Sequence, residues 1–224
     1  MADMPTLLVA AHGTSSRAGS ATTAALVDAA AAARPDVDVS LCFLDVAAPR
    51  LANALAGPRP TVVVPLLLST GFHVLVDIPA AVAGHPEVRV ARHLGPDALV
   101  IDALLDRLAT VRGAAAVSTT VLAGAGSSNP AAADELASAA QLLAERLGRP
   151  VEVLALGQDF RTRLSGLAAP VEVATYLLAD GQFAACLRAA AAAADVHIVA
   201  DPIGVHPALV TLVLARYDEA LDPP

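Results

Sequence analysis

Three short segments of this 224-residue chain recur at nearly one spacing. AAHGTS at Ala10–Ser15 matches AGAGSS at Ala123–Ser128, 113 positions on. Leu67-Leu68 and Gly71 match Leu177-Leu178 and Gly181, and Ala98-Leu99-Val100 matches Ala208-Leu209-Val210, both 110 positions on. One offset shared by separated segments means that a single supersecondary unit is present twice. Within each copy, short apolar runs alternate with helical stretches, the pattern of a parallel α/β sheet. The first copy predicts strands over Thr6–Ala11, Val37–Phe43, Thr61–Leu68 and Val88–Ala91, with helices over Ser20–Ala33, Pro49–Ala56 and Asp97–Thr110. The second predicts strands over Thr119–Ala123, Val151–Leu156, Val171–Leu178 and Val196–Ala200, with helices over Pro130–Leu147, Phe183–Ala194 and Pro207–Leu221. Gln158–Ser165 reads as a polar connection. The expected architecture is α/β: two similar lobes, residues 1–112 and 119–224, joined through the weakly patterned Val111–Ser118. Each lobe is a doubly wound parallel four-stranded sheet flanked by helices, with a cleft between the two.

The stretch Val62–Pro79, VVVPLLLSTGFHVLVDIP, places the chemistry. Its β-branched and leucine run reads as a central strand covered on both faces. The run breaks at Ser69-Thr70-Gly71 and presents His73 just beyond, at the strand's carboxyl end, where α/β sheets bind ligands. Asp77 followed by Pro79 reads as a helix cap with proline in the first turn. His12 follows the first strand in the same way. In a sheet of order 2-1-3-4 the first and third strands are neighbours, about 5 Å apart. The second copy carries Ala125 and Phe183 where the first carries His12 and His73, so the chemistry is expected in the first lobe alone.

Two neutral imidazoles make an open, weak site for a divalent transition metal. A structural zinc site is usually closed by four ligands, often thiolates. Cys42 and Cys186 are isolated in apolar segments and are expected to be buried free thiols. Thr14, Ser15, Ser69 and Thr70, in turns that also hold Gly13 and Gly71, offer hydroxyls and amides for an anion-holding rim and are assigned to substrate binding. Arg17, Arg92, Arg161 and Arg163 have the reach to meet anionic groups at the cleft, though each taken singly reads as a solvated surface residue. His85, His93, His197 and His206 read as surface or capping residues.

The formal net charge is −8, and with no lysine all 14 cationic side chains are arginines. No basic run exists, which excludes a nucleic-acid partner. No apolar run approaches the roughly 18 residues of a membrane helix, and Met1-Ala2-Asp3-Met4-Pro5 lacks the basic region of a signal peptide. The expectation is a cytoplasmic protein with no membrane contact.

The segments LLVAAHGTSSRAG, VVVPLLLSTGFHVLVDIP and RHLGPDALV, in that order, resemble the sirohydrochlorin chelatases of the CbiX/SirB family, class II chelatases related in fold to ferrochelatase. VATYLLADGQF and IGVHPALVTLVLARYDEA resemble the C-terminal half of that family's long, duplicated form. The resemblance implies insertion of Fe2+ or Co2+ into the tetrapyrrole sirohydrochlorin, towards sirohaem or cobalamin. It implies no permanent cofactor, because the metal is a substrate, and it puts the metal-handling and catalytic roles on His12 and His73. Which of the two is ligand and which is base stays open, as does iron against cobalt or nickel. After His12-Gly13 this chain reads Thr-Ser-Ser-Arg, where many relatives carry an Arg–Asp pair. No cysteine cluster follows for an iron–sulfur accessory. The chain is expected to act as a monomer or homodimer. The alternative is a tetrapyrrole or metal carrier without turnover. A histidine phosphatase is disfavoured, since Ala11 stands where its R-H-G motif needs arginine.

Overall fold

Eight strands among the described residues form two parallel sheets of identical order, β2-β1-β3-β4 and β6-β5-β7-β8. The computed structural model describes residues 4–57, 59–114, 116–127, 129–157 and 159–222. Met1-Ala2-Asp3, Ala115 of the expected joint, Ser128 of the aligned turn and Gln158 of the polar connection lie outside them. The first half runs β1 (Thr6–Ala11), α1 (Arg17–Ala33), β2 (Val39–Phe43), α2 (Leu51–Ala54), β3 (Thr61–Leu66), α3 (Ile78–Val82), β4 (Val88–Val90) and α4 (Ala98–Arg112). The second runs β5 (Thr119–Gly124), α5 (Pro130–Leu147), β6 (Val151–Ala155), α6 (Phe160–Ser165), β7 (Val171–Tyr176), α7 (Gln182–Ala193), β8 (Ile198–Val199) and α8 (Pro207–Leu221).

The central strand β3 is buried along its whole length, as its apolar sequence requires. It holds a proline, Pro65, without losing a ladder bond. Thr61 donates to Glu87 and Val63 accepts from Ala91, so the odd-numbered backbone groups of β3 face β4. Pairing with β4 ends at Val63 and Val90, and the N–H that Pro65 lacks would have pointed past that end. The wider spans expected for the second, third, seventh and eighth strands contract to these ladders; in the third and seventh the apolar run continues beyond the last paired residue.

Each sheet has an inner and an outer face. The outer face of the first packs Leu8, Ala10 and Val63 against Leu51 of α2 and Ile78 of α3. The outer face of the second packs Val121, Ala123 and Val173 against Phe160 and Leu164 of α6 and Leu187 of α7. Residues 160–165 are therefore a helix rather than a polar connection. Phe160 and Leu164, four apart, make one apolar edge in a stretch otherwise polar. The inner faces share one core, fed by α1, α4, α5 and α8 from both halves.

The helices of that core are exchanged between halves. α4 closes the first copy but packs on β7 of the second sheet, and α8 closes the second copy but packs on β3 of the first. Charged locks reinforce the exchange. Glu172 of β7 is fully buried. Its carboxylate accepts from Arg112 Nε at 2.5 Å and Nη2 at 2.6 Å, from Arg149 Nη2 at 2.6 Å and from the Thr120 hydroxyl at 2.8 Å. Arg112 is the last residue of α4, so this bidentate pair fastens the first half to the second sheet. Arg216 of α8, also buried, donates to Asp97 Oδ2 at 2.7 Å and to the His93 carbonyl, fastening the other exchanged helix.

One expected burial is reversed: Cys42 is buried in β2, and burial pushes its thiol up to about 12, but Cys186 is exposed on α7. The inward stripe of α7 is carried by Ala184, Leu187 and Ala191, which turns position 186 outward.

Removing one partner of a buried ion pair leaves the others uncompensated. Glu172→Ala is expected to lower the unfolding free energy in urea by about 3 kcal/mol; a loss within 0.5 kcal/mol, roughly the scale of an ordinary surface change, would show that this lock carries no stability.

Candidate active site

His12 is set by its backbone. Leu44 and Asp45, just past β2, donate their N–H groups to the carbonyls of Ala11 and His12 at 2.8 Å each. That places the Asp45 backbone directly over Gly13, where a Cβ would lie 2.1 Å from the Asp45 carbonyl oxygen. Gly13 also has φ of +95°, a conformation other residues rarely adopt. The glycine is therefore a steric condition for the position of His12.

His73 is set by a wide helical turn. Residues His73–Asp77 form one turn of π-helix, closed by the Ile78 N–H donating to the His73 carbonyl five residues back, before α3 continues. Such turns recur at functional sites. Asp77 does not cap a helix: its backbone is already helical and its side chain makes no cap bond. Its carboxylate Oδ2 instead lies 2.5 Å from His73 Nδ1.

The two ring centroids are 4.6 Å apart, with the planes at 84°. Their tautomers follow from their partners. His12 Nδ1 lies 2.9 Å from the Gly13 carbonyl oxygen, which can only accept, so Nδ1 carries the hydrogen. The Asp77 carboxylate oxygen, as acceptor, imposes the same on His73. Each neutral ring is left with its lone pair on Nε2, the state in which imidazole binds a metal or accepts a proton.

Both histidines border a cleft of about 550 Å³ between the halves. Phe72, Ser69 and Gly71 share their wall. The facing wall comes from the second half, with Gly124, Leu136, Tyr176 and Phe183, and Arg163 is the single formal cation among the described lining residues. Gly13, Thr14 and Ser15 border a smaller hollow of about 320 Å³ that also takes in His12, Asp180 and Phe183. A third hollow, about 500 Å³, takes in His73 and is bordered by Asp45, Arg50 and Asp77. Bonds from the Val46 N–H and Arg50 hold Asp45 below the usual carboxylate range, with a smaller contribution from His12. Asp45 and Asp77 thus share this hollow with His73 and do not border the main cleft.

Thr70 does not join the rim. Its N–H and hydroxyl donate to the carboxylate of Glu135 on α5, at 2.5 and 2.7 Å, and it is buried. Those donors are spent on joining the halves. His93, expected at the surface, sits in the same junction. Its Nε2 is 3.2 Å from Glu135 Oε1, close but out of line for a hydrogen bond. Tyr176 completes the junction by donating to the Leu68 carbonyl at 3.2 Å, and burial pushes its phenol well up. A Cβ on Gly95 would meet that phenol oxygen at 2.2 Å. Of the remaining histidines, His206 caps α8, and His85 and His197 pair with nearby acids. Arg92 pairs with Glu219 away from the cleft.

No group of three or more His, Cys, Asp or Glu is placed to hold a metal among the described residues. The site therefore offers two imidazole nitrogens and leaves the other positions of an ion to water or to an incoming ligand.

The CbiX family model matches residues 6–111, the segment that carries both histidines. The matched segment is the first lobe, just under half of the chain. No curated protein matches the chain. Among solved structures it is similar to SirB from Bacillus subtilis with Fe3+, at 22% identity over 97% of this chain and 96% of that one, with a TM-score of 0.79. It is similar to the sirohydrochlorin chelatase SirB from Bacillus subtilis subspecies spizizenii in complex with cobalt, at 23% identity over 98% and 97%, TM-score 0.80. It is also similar to CbiX, described as the terminal enzyme for biosynthesis of siroheme in denitrifying bacteria, at 22% identity over 97% and 100%, TM-score 0.73. These matches span both halves and show that the whole chain, not the CbiX-matched lobe alone, has the chelatase fold.

Nitrogen-15 spectra of the neutral imidazoles are expected to show Nδ1–H tautomers for His12 and His73, and a mixed tautomer for His73 in Asp77→Asn. An Nε2–H ring at position 73 in the unaltered protein would contradict the assignment.

Proposed function

We propose that this protein is a sirohydrochlorin chelatase, inserting Fe2+ or Co2+ into the tetrapyrrole within the cleft. The observation that carries the reading is the imidazole pair at 4.6 Å, both rings tied at Nδ1, on one wall of an apolar cleft in the lobe that the CbiX model matches.

Insertion exchanges one hydrated divalent ion for two pyrrole protons. The free Nε2 atoms of His12 and His73 can replace water on the ion, and each bond they give up to a ring nitrogen leaves a free imidazole lone pair beside a proton that must depart. Asp77 steadies His73 and stabilises its charge when it takes that proton, in the way a carboxylate orients a metal-binding histidine. Two ligands rather than four suit this transfer, because an ion held at every position would not be released. The apolar walls exclude water, which strengthens the contest between imidazole and ring nitrogen for the metal. No permanent cofactor enters the scheme, and one chain supplies both walls.

The substrate brings eight carboxylates to a protein of net charge −8. Its acidic edge must meet local donors. Arg163 at the cleft, the hydroxyls of Ser69, Thr14 and Ser15 and the turns at Gly13 and Gly71 fill that role; Thr70 does not. No helix among the described residues is long and apolar enough to cross a membrane, so both substrates are taken to reach the cleft from water.

Anaerobic assays with sirohydrochlorin and each metal, followed by absorbance, test the reading. Many turnovers per protein are expected, with His12→Ala and His73→Ala each slowing insertion about 100-fold. One equivalent of product and no more would mark a carrier, and full rates in both variants would remove the histidines from the site. Arg163→Ala is expected to raise KM severalfold and to flatten its dependence on salt; an unchanged salt response would exclude this arginine from the substrate.

A further inference from the structure

The chain has four phenylalanines, two tyrosines and no tryptophan. Phe160, Tyr176 and Tyr217 are buried, and Phe43 packs half-buried against the shared core. The two remaining rings, Phe72 and Phe183, are 66% and 52% exposed, and both border the main cleft. An aromatic ring left in water forgoes the burial that places such residues in cores. Here both exposed rings fall on the same cavity, and they come from opposite halves.

Their positions relative to the imidazoles differ. Phe72 adjoins His73 on the first wall, with ring centroids 6.5 Å apart and planes at 77°. Phe183 stands on the second wall, at the position that the internal repeat pairs with His73. Where one half presents a ligand, the other presents a benzyl group. Phe183 also borders the smaller hollow at His12, and Phe72 the third hollow at His73. Phe183 thus shares two hollows with His12, and Phe72 shares two with His73.

We propose that Phe72 and Phe183 form an aromatic clamp that grips the flat, conjugated face of the macrocycle and holds its nitrogens against the imidazole pair. This inference rests on the chelatase reading above. Sirohydrochlorin has an acidic perimeter and a conjugated interior. The arginine and hydroxyls of the rim answer the perimeter, and only ring stacking or apolar contact can answer the interior. Aromatic faces stack in offset or edge-on arrangements that fix orientation as well as adding affinity. The clamp thus makes the cleft selective for a planar ring over an open-chain tetrapyrrole bearing the same carboxylates.

The test is an anaerobic fluorescence titration of sirohydrochlorin without metal, alongside steady-state insertion rates. It uses the unaltered protein, Phe72→Ala, Phe183→Ala, Phe183→Leu, Phe183→Tyr and a control, Leu75→Ala. Leu75 is 56% exposed on the same turn as His73 but does not border the cleft. Because every altered side chain is exposed, circular dichroism is expected to show an intact fold throughout. Each phenylalanine-to-alanine change is expected to weaken binding about five- to tenfold, a loss of the size measured for single aromatic pairs. KM should rise accordingly. Phe183→Tyr should bind like the unaltered protein, Phe183→Leu should remain weakened, and Leu75→Ala should change nothing. If the unaltered protein binds sirohydrochlorin and both alanine variants bind within twofold of it, the clamp is wrong and the chelatase reading stands. If Phe183→Leu restores binding as fully as Phe183→Tyr, the contact is plain apolar burial and the clamp is again wrong. If the unaltered protein binds no sirohydrochlorin, the two fall together.

Discussion

The exchange of α4 and α8 between the two sheets is the constraint on which the rest of this structure depends. Each half, left to itself, would have only α1 or α5 over the inner face of its own sheet, leaving part of it exposed. With α4 on β7 and α8 on β3, the apolar surface of both is buried in one continuous core. Relative motion of the halves then means breaking that core, unlike the ordinary case of two domains meeting at a small polar surface. The shared core joins the two walls of the cleft, and the imidazole pair, divided between a strand end and a turn, lies on one of them.

The polar groups at the base of the cleft follow from the same arrangement. Where the halves meet near the strand ends, backbone and hydroxyl groups are taken from water and must be answered. Glu135 answers Thr70, Tyr176 answers the Leu68 carbonyl, and Arg216 answers Asp97 and the loop before α4. Each contact joins a residue of one half to a residue of the other. Their effect is to spend the nearby hydroxyls and acids on structure, which leaves the imidazoles and Ser69 as the polar groups that face the cavity from the first wall. The cleft lining is correspondingly sparse in formal charge, with Arg163 its single cation among the described residues.

The repeat made the sheets legible. A common offset, alternating elements and a buried third strand lead to the order found in both halves, and that order alone predicts that His12 and His73 meet. Partners across the interface were beyond reach. The apolar stripe of α4 shows that one face is buried and says nothing of which sheet covers it. Asp77 looks like a cap because an acid before Ile-Pro usually is one; the π-turn that carries it to His73 has no signature in the residue pattern. Glu135 sits beside Asp134 on an alanine-rich helix, and nothing in the residue pattern singles it out until the loop after β3 is laid against it. Asp45 likewise gains meaning only when β2 is set beside β1. Thr70 shows the converse, a residue of the right type in the right turn whose donors are claimed by a group from the other half.

Two copies of one unit, one bearing imidazoles and the other bearing alanine and phenylalanine at the matching positions, divide the work of the site. In the proposed scheme the first half supplies lone pairs, and the second supplies a wall that keeps water away and meets the ring. The central claim is that a substrate ion passes through joint ligation by His12 and His73. Cobalt K-edge X-ray absorption of the Co2+-loaded protein without tetrapyrrole tests it most directly. The account predicts two imidazole ligands with oxygen donors completing the shell, and loss of both imidazoles in the His12→Ala/His73→Ala variant. A shell with no imidazole, or one unchanged in that variant, would contradict it.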